Sequence, residues 1–199
     1  MKKLINTLVL ITVIFFNENS FAYDSDPKIF IQELLNDAID TLNNKNISIL
    51  NKKKNIKTIA VNNVDINALG MYTLGEVRKT LSQDELKKYK DLFEKYFLKS
   101  LTSRLNDYAG QKFEVVSANQ KSESYTIVST ILVASSSLPE IKIDWRVYTK
   151  DPARPLIRDL IVEGLSLAKT QKEEFSSILN SNNNNINILF LKLKEFINN

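Results

Sequence analysis

Two hydrophobic periods divide the chain. Up to about residue 110 the apolar positions recur every three to four residues, as on amphipathic helices; beyond it they alternate, as in strands. Phe30, Leu34, Ala38 and Leu42 recur at spacing four, with Ile31 and Leu35 widening the stripe. Asp26 before Pro27 supplies an N-cap and a first-turn proline, so a helix is predicted from there to Asn43-Asn44. A weaker helical pattern covers about Leu50 to Ala60. Val64-Asp65 opens a third helix, with Ile66, Leu69 and Tyr72 on one face and Gly75 as its stop or bend. The fourth has the sharpest signals. Ser82-Gln83-Asp84-Glu85 is a capping box, and Leu86, Tyr89, Phe93, Tyr96, Ser100 and Leu101 follow at spacings of three and four. Phe97, Leu105 and Tyr108 extend that stripe and Gly110 ends it. The pattern predicts one helix from Gln83 to Tyr108, roughly 40 Å long at ~1.5 Å per residue.

The period then becomes two. Phe113, Val115 and Ser117 start a strand, and Tyr125 to Ala134 is a long β-branched run. Ile141, Ile143, Trp145 and Val147 alternate with Lys142, Asp144, Arg146 and Tyr148, so the first set is expected inside. Asp151 to Pro155 reads as a turn and Leu156 to Leu167 as a further strand. Short helices around Gln171 to Leu179 and Ile186 to Phe196 close the chain. Helices first and strands later indicate an α+β fold. We expect a curved antiparallel sheet of about four strands, with the N-terminal helices across one face. The fourth, aromatic helix is expected to lie over that sheet.

The N-terminus changes the picture of where this domain works. Lys2-Lys3 is a short basic start, Leu4 to Phe16 is nearly all apolar, and Ser20-Phe21-Ala22 is a small-x-small exit. Together these describe a secretory signal peptide cut after Ala22. The apolar run falls short of the ~20 residues that span a bilayer. The mature chain is then a single domain, residues 23–199.

Composition narrows the chemistry. The chain has no His and no Cys, which removes Ser-His-Asp and Cys-His catalysis, imidazole and thiolate metal sites, and disulfides. No metal or other cofactor is implied. The net charge of +4 is too mild to point to nucleic acid. Lys52-Lys53-Lys54, the only basic run, reads as a solvated helix turn rather than a membrane-docking patch. Asp159 and Glu163, at i and i+4 on one strand face, could act as paired carboxylates, but an outer face salt-bridged to Arg146 or Arg158 is the favoured reading. Ser166 has no base and reads as a cap or strand-end hydrogen bond. Arg78 and Arg104 are surface charges or docking residues.

Three stretches in order resemble one known family. They are Val64-Asp65 through Ala68-Leu69-Gly70 to Val77-Arg78; the long helix from Ser82 leading into Tyr108-Ala109-Gly110-Gln111 and the strand to Val115; and Arg158-Asp159-Leu160-Ile161-Val162-Glu163-Gly164-Leu165-Ser166-Leu167. Their order and spacing are similar to the MlaC/toluene-tolerance family of periplasmic phospholipid-binding proteins. The chain departs in carrying Gln171-Lys172 where the family has a Tyr-Arg pair, and Val77 where it has an aromatic. The resemblance implies a non-enzymatic shuttle that maintains outer-membrane lipid asymmetry. It implies partners too: phospholipid, an inner-membrane ABC transporter with its MCE-domain subunit, and an outer-membrane lipoprotein complex. An isoprenoid such as a hopanoid is the rival cargo, and a non-catalytic adaptor with a filled core is the rival role.

Physical chemistry sets what a carrier needs. Each buried CH₂ contributes ~0.8 kcal/mol, so two long acyl chains represent on the order of 20 kcal/mol of desolvation. Their enclosure calls for an apolar cavity near ~1,000 Å³. The expected lining is Phe93, Phe97, Leu101 and Tyr108 from the helix, with Ile131, Ile143, Trp145, Val147 and Ile161 from strands. An apolar helix stripe against an apolar sheet is ordinarily a packed core; the pattern alone leaves core and cavity open, and the resemblance favours the cavity.

Overall fold

The computed structural model describes residues 23–103, 110–134 and 139–199. Four helices come first: α1 (Pro27–Asn43), α2 (Ile49–Asn63), α3 (Ile66–Thr73) and, after a 3-10 turn at Gly75–Lys79, α4 (Gln83–Ser103). Five antiparallel strands follow, β1 (Phe113–Ser122), β2 (Tyr125–Leu132), β3 (Ile141–Tyr148), β4 (Leu156–Val162) and the two-residue β5 (Leu165–Ser166), hydrogen-bonded in sequence order. Helices α5 (Leu167–Asn180) and α6 (Ile186–Asn198) complete the chain. The α+β class, the antiparallel sheet and the helix order are those the sequence predicts. Among the described residues no helix is long and apolar enough to cross a membrane.

The predicted start signals form as expected. Asp26 Oδ1 accepts from the Lys28 and Ile29 amides at the head of α1. The capping box closes at α4: the Ser82 amide donates to Glu85 Oε2 at 2.8 Å and the Glu85 amide to Ser82 Oγ at 3.3 Å. Gly75, just past the C-cap of α3, adopts φ 56°, the left-handed conformation that ends helices. Helix α4 is described to Ser103, and the predicted stretch between there and Gly110 lies outside the described residues. Leu105, Tyr108 and Arg104 lie outside the described residues, as do the N-terminal segment and the predicted cut after Ala22. Lys52 donates to the Leu42 carbonyl at the end of α1, and Arg78 Nη1 to the Met71 carbonyl at 3.2 Å, so both cations finish helix ends.

Two expectations are corrected. The stretch Leu156 to Leu167 is not one strand. Glu163 (φ 48°) and Gly164 (φ 81°) make a two-residue left-handed turn, and the chain doubles back as β5 before α5 begins. The strand-like stretch carries no mark of that reversal except the Glu-Gly pair itself. The helix over the sheet is α1, not α4. Phe30, Ile31, Leu34 and Leu35 of α1 pack on Val128, Trp145, Val147 and Ile157. The aromatic face of α4 (Tyr89, Leu92, Phe93) instead meets Ile66, Leu74, Phe175, Leu179 and the α6 stripe Ile186, Leu189, Phe190 and Leu193. Periodicity fixes which face of a helix is apolar; it does not choose among the partners able to cover it. The register of β3 is as predicted, with Trp145 and Val147 buried and Lys142 and Arg146 exposed.

The strand ladder is bent by irregularities. β1 is bulged between Val115 and Ser117 and again between Gln120 and Ser122, and β4 is bulged opposite Arg146 and Val147. The last bulge makes Arg158 the extra residue of its strand. Helices and sheet are joined there. Val64 bridges Ile157, and the Asp65 amide donates to the Ile157 carbonyl at 2.9 Å. Asp65 Oδ1 caps α3 through the Ala68 amide at 3.0 Å, while Oδ2 receives Arg158 Nε at 2.8 Å and Nη2 at 2.7 Å.

Two measurements check this packing. A Cβ at Gly70 would stand 2.8 Å from Phe93 Cδ1, inside contact distance. Gly70→Ala should therefore lower stability by about 1–3 kcal/mol in urea unfolding. Helix propensity alone predicts a gain of ~1 kcal/mol instead, so a more stable variant would show α3 and α4 packed less closely. For the seam, Asp65→Asn retains a capping oxygen and loses the charge. A double-mutant cycle with Arg158→Gln should give a coupling of about 1–2 kcal/mol, whereas additive losses would mean that the pair holds nothing together.

Candidate functional site

One side of the sheet is core; the other side is a cleft. Strand alternation places Tyr125, Ile127 and Ser129 of β2 beside Lys142, Asp144 and Arg146 of β3, on the face turned away from α1. Helix α3 and the start of α5 come over part of this face, leaving a cleft of about 840 Å³. Ala68, Leu69 and Tyr72 of α3 form the opposite wall, with Ala168 of α5. Asn119, Lys121 and Ser122 of β1 close one side, and Arg158 and Ile161 of β4 the other. The cleft is amphipathic: Leu69, Tyr72, Ile127 and Ile161 are apolar, whereas four cations and one carboxylate stand among them.

Several polar groups in these walls already have partners. Arg158 is the most firmly held. Its guanidinium carbon lies 3.5 Å from the Tyr148 ring centroid, its Nη1 donates to the Tyr125 hydroxyl at 3.0 Å, and its remaining bonds go to Asp65. Partial burial pulls its pKa down, but the bonds to Tyr125 and Asp65 outweigh that and raise it overall. Asp144 accepts the Ser129 hydroxyl at 2.6 Å and faces Lys142 Nζ at 3.3 Å. Asp159, 3% exposed, sits behind Arg146 with 3.6 Å between Oδ2 and Nη1.

The Asp159 carboxylate explains the last family-like stretch. It accepts the Ser166 hydroxyl at 2.6 Å and the Ala168 amide at 3.0 Å. Ser166 Oγ in turn accepts the Lys169 amide at 3.0 Å as the N-cap of α5. Asp159, the Glu163-Gly164 turn and Ser166 thus form one device that folds α5 back onto β4. Ser166 is a cap, as the sequence suggests. Asp159 and Glu163 are not a working pair, nor do they share an outer face: the first is buried beneath α5, and the second lies in the turn with Oε1 bonded to the Lys142 amide at 2.5 Å. A strand reading gives them one face because it omits the left-handed turn.

The expected lining residues separate into three places. Ile161 lines the cleft, and Ile131 lies on the same sheet face. Trp145 and Val147 are buried against α1, with Ile143 packed beside them, and Trp145 Nε1 donates to Thr130 Oγ1 at 2.9 Å. Phe93 is buried in the helical core with Phe97 against it, stacked at 6.4 Å between centroids, and Leu101 is 37% exposed. Tyr108 lies outside the described residues. What sequence reasoning missed is the polar half of β3. Lys142, Asp144 and Arg146 read as a solvent face; the return of α3 and α5 makes them a wall. The signal was present in the β-branched run of β2, which is apolar on both faces at Ile127 and Ile131 as well as at Val128 and Leu132.

Comparison with known proteins places this geometry. No curated protein sequence matches the chain. Among solved structures, the fold is similar to that of a phospholipid-binding protein from Ralstonia solanacearum in complex with a phospholipid, with a TM-score of 0.72. The two are 15% identical, and the alignment covers 87% of this chain and 97% of that one. The profile of the family described as MlaC protein matches residues 32–195, from within α1 to within α6. The chain belongs to the MlaC protein family.

Proposed function

We propose that this protein binds phospholipid and carries it through the periplasm as part of an intermembrane lipid transport system. The observation that carries the reading is the agreement of family and fold: the family match spans nearly the whole domain, and a protein of the same fold holds a phospholipid. The cleft supports it. Its volume of about 840 Å³ falls in the ~300–1,000 Å³ range of ligand sites. An apolar wall beside cations suits an amphiphile, whose chains seek Leu69, Tyr72, Ile127 and Ile161 and whose phosphate seeks charge. Chains longer than the cleft would run along the sheet past Ile131, or part α1 from the sheet to reach Ile143, Trp145 and Val147. Phe93, Phe97 and Leu101 lie across α3 from the cleft and would be reached only if the helices opened.

The role is that of a carrier rather than an enzyme. A headgroup left at the mouth would be open to handover between an inner-membrane ABC transporter with its MCE-domain subunit and an outer-membrane lipoprotein complex. The basic start, apolar run and Ser20-Phe21-Ala22 exit would deliver the chain to that compartment. The exported protein should therefore begin at Tyr23, which N-terminal sequencing or intact mass reads directly; a full-length membrane-bound form would contradict it.

Two substitutions separate cleft from core. Ile161→Glu puts a carboxylate on the cleft wall and should leave the fold intact while lowering bound lipid at least tenfold, since a charge set among acyl chains costs several kcal/mol and competes with a headgroup for the wall's cations. Val147→Glu puts the same group into a site with no exposure and should unfold the protein. Circular dichroism read beside chromatography of extracted lipid tells these apart. A wild-type protein that carries no lipid when purified without detergent, and takes none from vesicles, is an adaptor; an isoprenoid in the extract would change the cargo and keep the role.

A further inference from the structure

The charges of the cleft are uneven. Of the five charged side chains in its walls, Lys121, Lys142, Arg146 and Arg158 are cations and only Asp144 is an anion. The anions nearby are already engaged. Asp65 holds Arg158, Asp144 holds the Ser129 hydroxyl and faces Lys142, and Glu163 bonds the Lys142 backbone outside the cleft. Asp159 gives its two oxygens to Ser166 and Ala168.

Arg146 is left with the loosest attachment of the four. Its 3.6 Å approach to Asp159 is an ion pair beyond ordinary hydrogen-bond length, its side chain is 46% exposed, and among the described residues it donates no hydrogen bond. Lys142 is four residues along the same strand, so it stands on the same face with Asp144 between them, and its side chain is 60% exposed. Two cations with unused donors therefore border a wall built from Ile127, Ile161 and Leu69. A guanidinium with open donors and an ammonium on the same wall are both suited to phosphate oxygens.

We propose that the cleft discriminates among lipids by charge: it takes acidic phospholipids in preference to zwitterionic ones, with Arg146 and Lys142 as the residues that read the phosphate. This rests on the carrier reading above and adds the class of cargo. A phosphodiester with no cation of its own takes up the open donors of Arg146 and Lys142, whose ion pairs at 3.6 and 3.3 Å are loose and exposed. A choline or ethanolamine headgroup brings its ammonium back toward Lys142 and Arg146, where Asp144 is the one carboxylate among the wall residues. The apolar wall separates this from a site for soluble phosphate, which would gain nothing from Ile127, Ile161 and Leu69.

The test lets both lipids compete on one surface. The purified protein is mixed with vesicles containing equal phosphatidylglycerol and phosphatidylcholine of the same acyl chains, separated from them, and its bound lipid counted by mass. Both lipids come from the same charged surface, so adsorption to the vesicle cancels. We expect a preference for phosphatidylglycerol of about tenfold at low salt, falling toward unity near 1 M, where the Debye length shrinks to ~3 Å. Arg146→Gln and Lys142→Gln should each cut the preference several-fold, and together abolish it. Arg146→Lys, which keeps the charge, should retain most of it; this variant decides the matter if the neutral one fails to fold by circular dichroism. Lys87→Gln, an exposed cation on α4 outside the cleft, should leave the preference intact. Equal uptake of the two lipids by the wild-type protein overturns the selectivity and leaves the carrier reading standing. Uptake of neither overturns both. Displacement of bound lipid by millimolar glycerol phosphate would make the cleft a soluble-phosphate site and overturn the proposal.

Discussion

Asp65 has two carboxylate oxygens and the architecture uses them for different ends. One caps α3; the other binds Arg158, the bulged residue of β4. The backbone of the same residue adds a bond to the Ile157 carbonyl. Two separate cores meet at this point: α3, α4, α5 and α6 on one side, α1 with the sheet on the other. Each core holds itself together by burial, but neither fixes where the other sits. The Asp65–Arg158 seam does so together with the Asp159 bonds that hold α5 on β4, and the seam sets the distance between α3 and the sheet. That distance is the width of the cleft. The sheet itself could not supply this constraint, because its own hydrogen bonds run only from strand to strand.

The sheet is unusual in using both faces for unlike purposes. Its α1 face is dry and close-packed, with Val128 and Val147 fully buried. Its other face is only partly covered, because α3 is eight residues long and cannot roof strands of eight or ten. A longer α3 would have closed the cleft into a second core. The shortness of that helix, cut off by Gly75 in the left-handed conformation, leaves the space.

Much of this was legible in the chain and some was not, for reasons that differ. Local signals were reliable: the Asp26 cap, the Ser82–Glu85 box, the alternation through Ile143, Trp145 and Val147, and the Ser166 cap are all made within a few residues, so sequence contains them whole. Pairing of distant surfaces was not. The α4 aromatics suit the sheet and suit α6 equally well, and only the three-dimensional course of the chain decides. The cleft was hidden for a further reason. Lys142, Asp144 and Arg146 have the pattern of a solvated strand face, and nothing near them in sequence shows that Leu69 and Tyr72, some seventy residues earlier, return to stand opposite. The Glu163-Gly164 reversal fell between these cases: its two residues are local, but an apolar run on each side conceals them.

The two irregularities of β1 have a meaning for the molecule among its own copies. This strand is the outer edge of the sheet, ten residues long, and a straight edge of that length would offer its unpaired amides and carbonyls to a neighbour's strand. The bulges at Val116 and Lys121 break that row into short pieces, none long enough to template a second ladder, and Lys112, Glu114 and Lys121 surround them with charge. At the opposite edge β5 is only two residues long. A protein with no disulfide to guard its fold thus carries its protection against intermolecular sheet growth in the shape of its backbone.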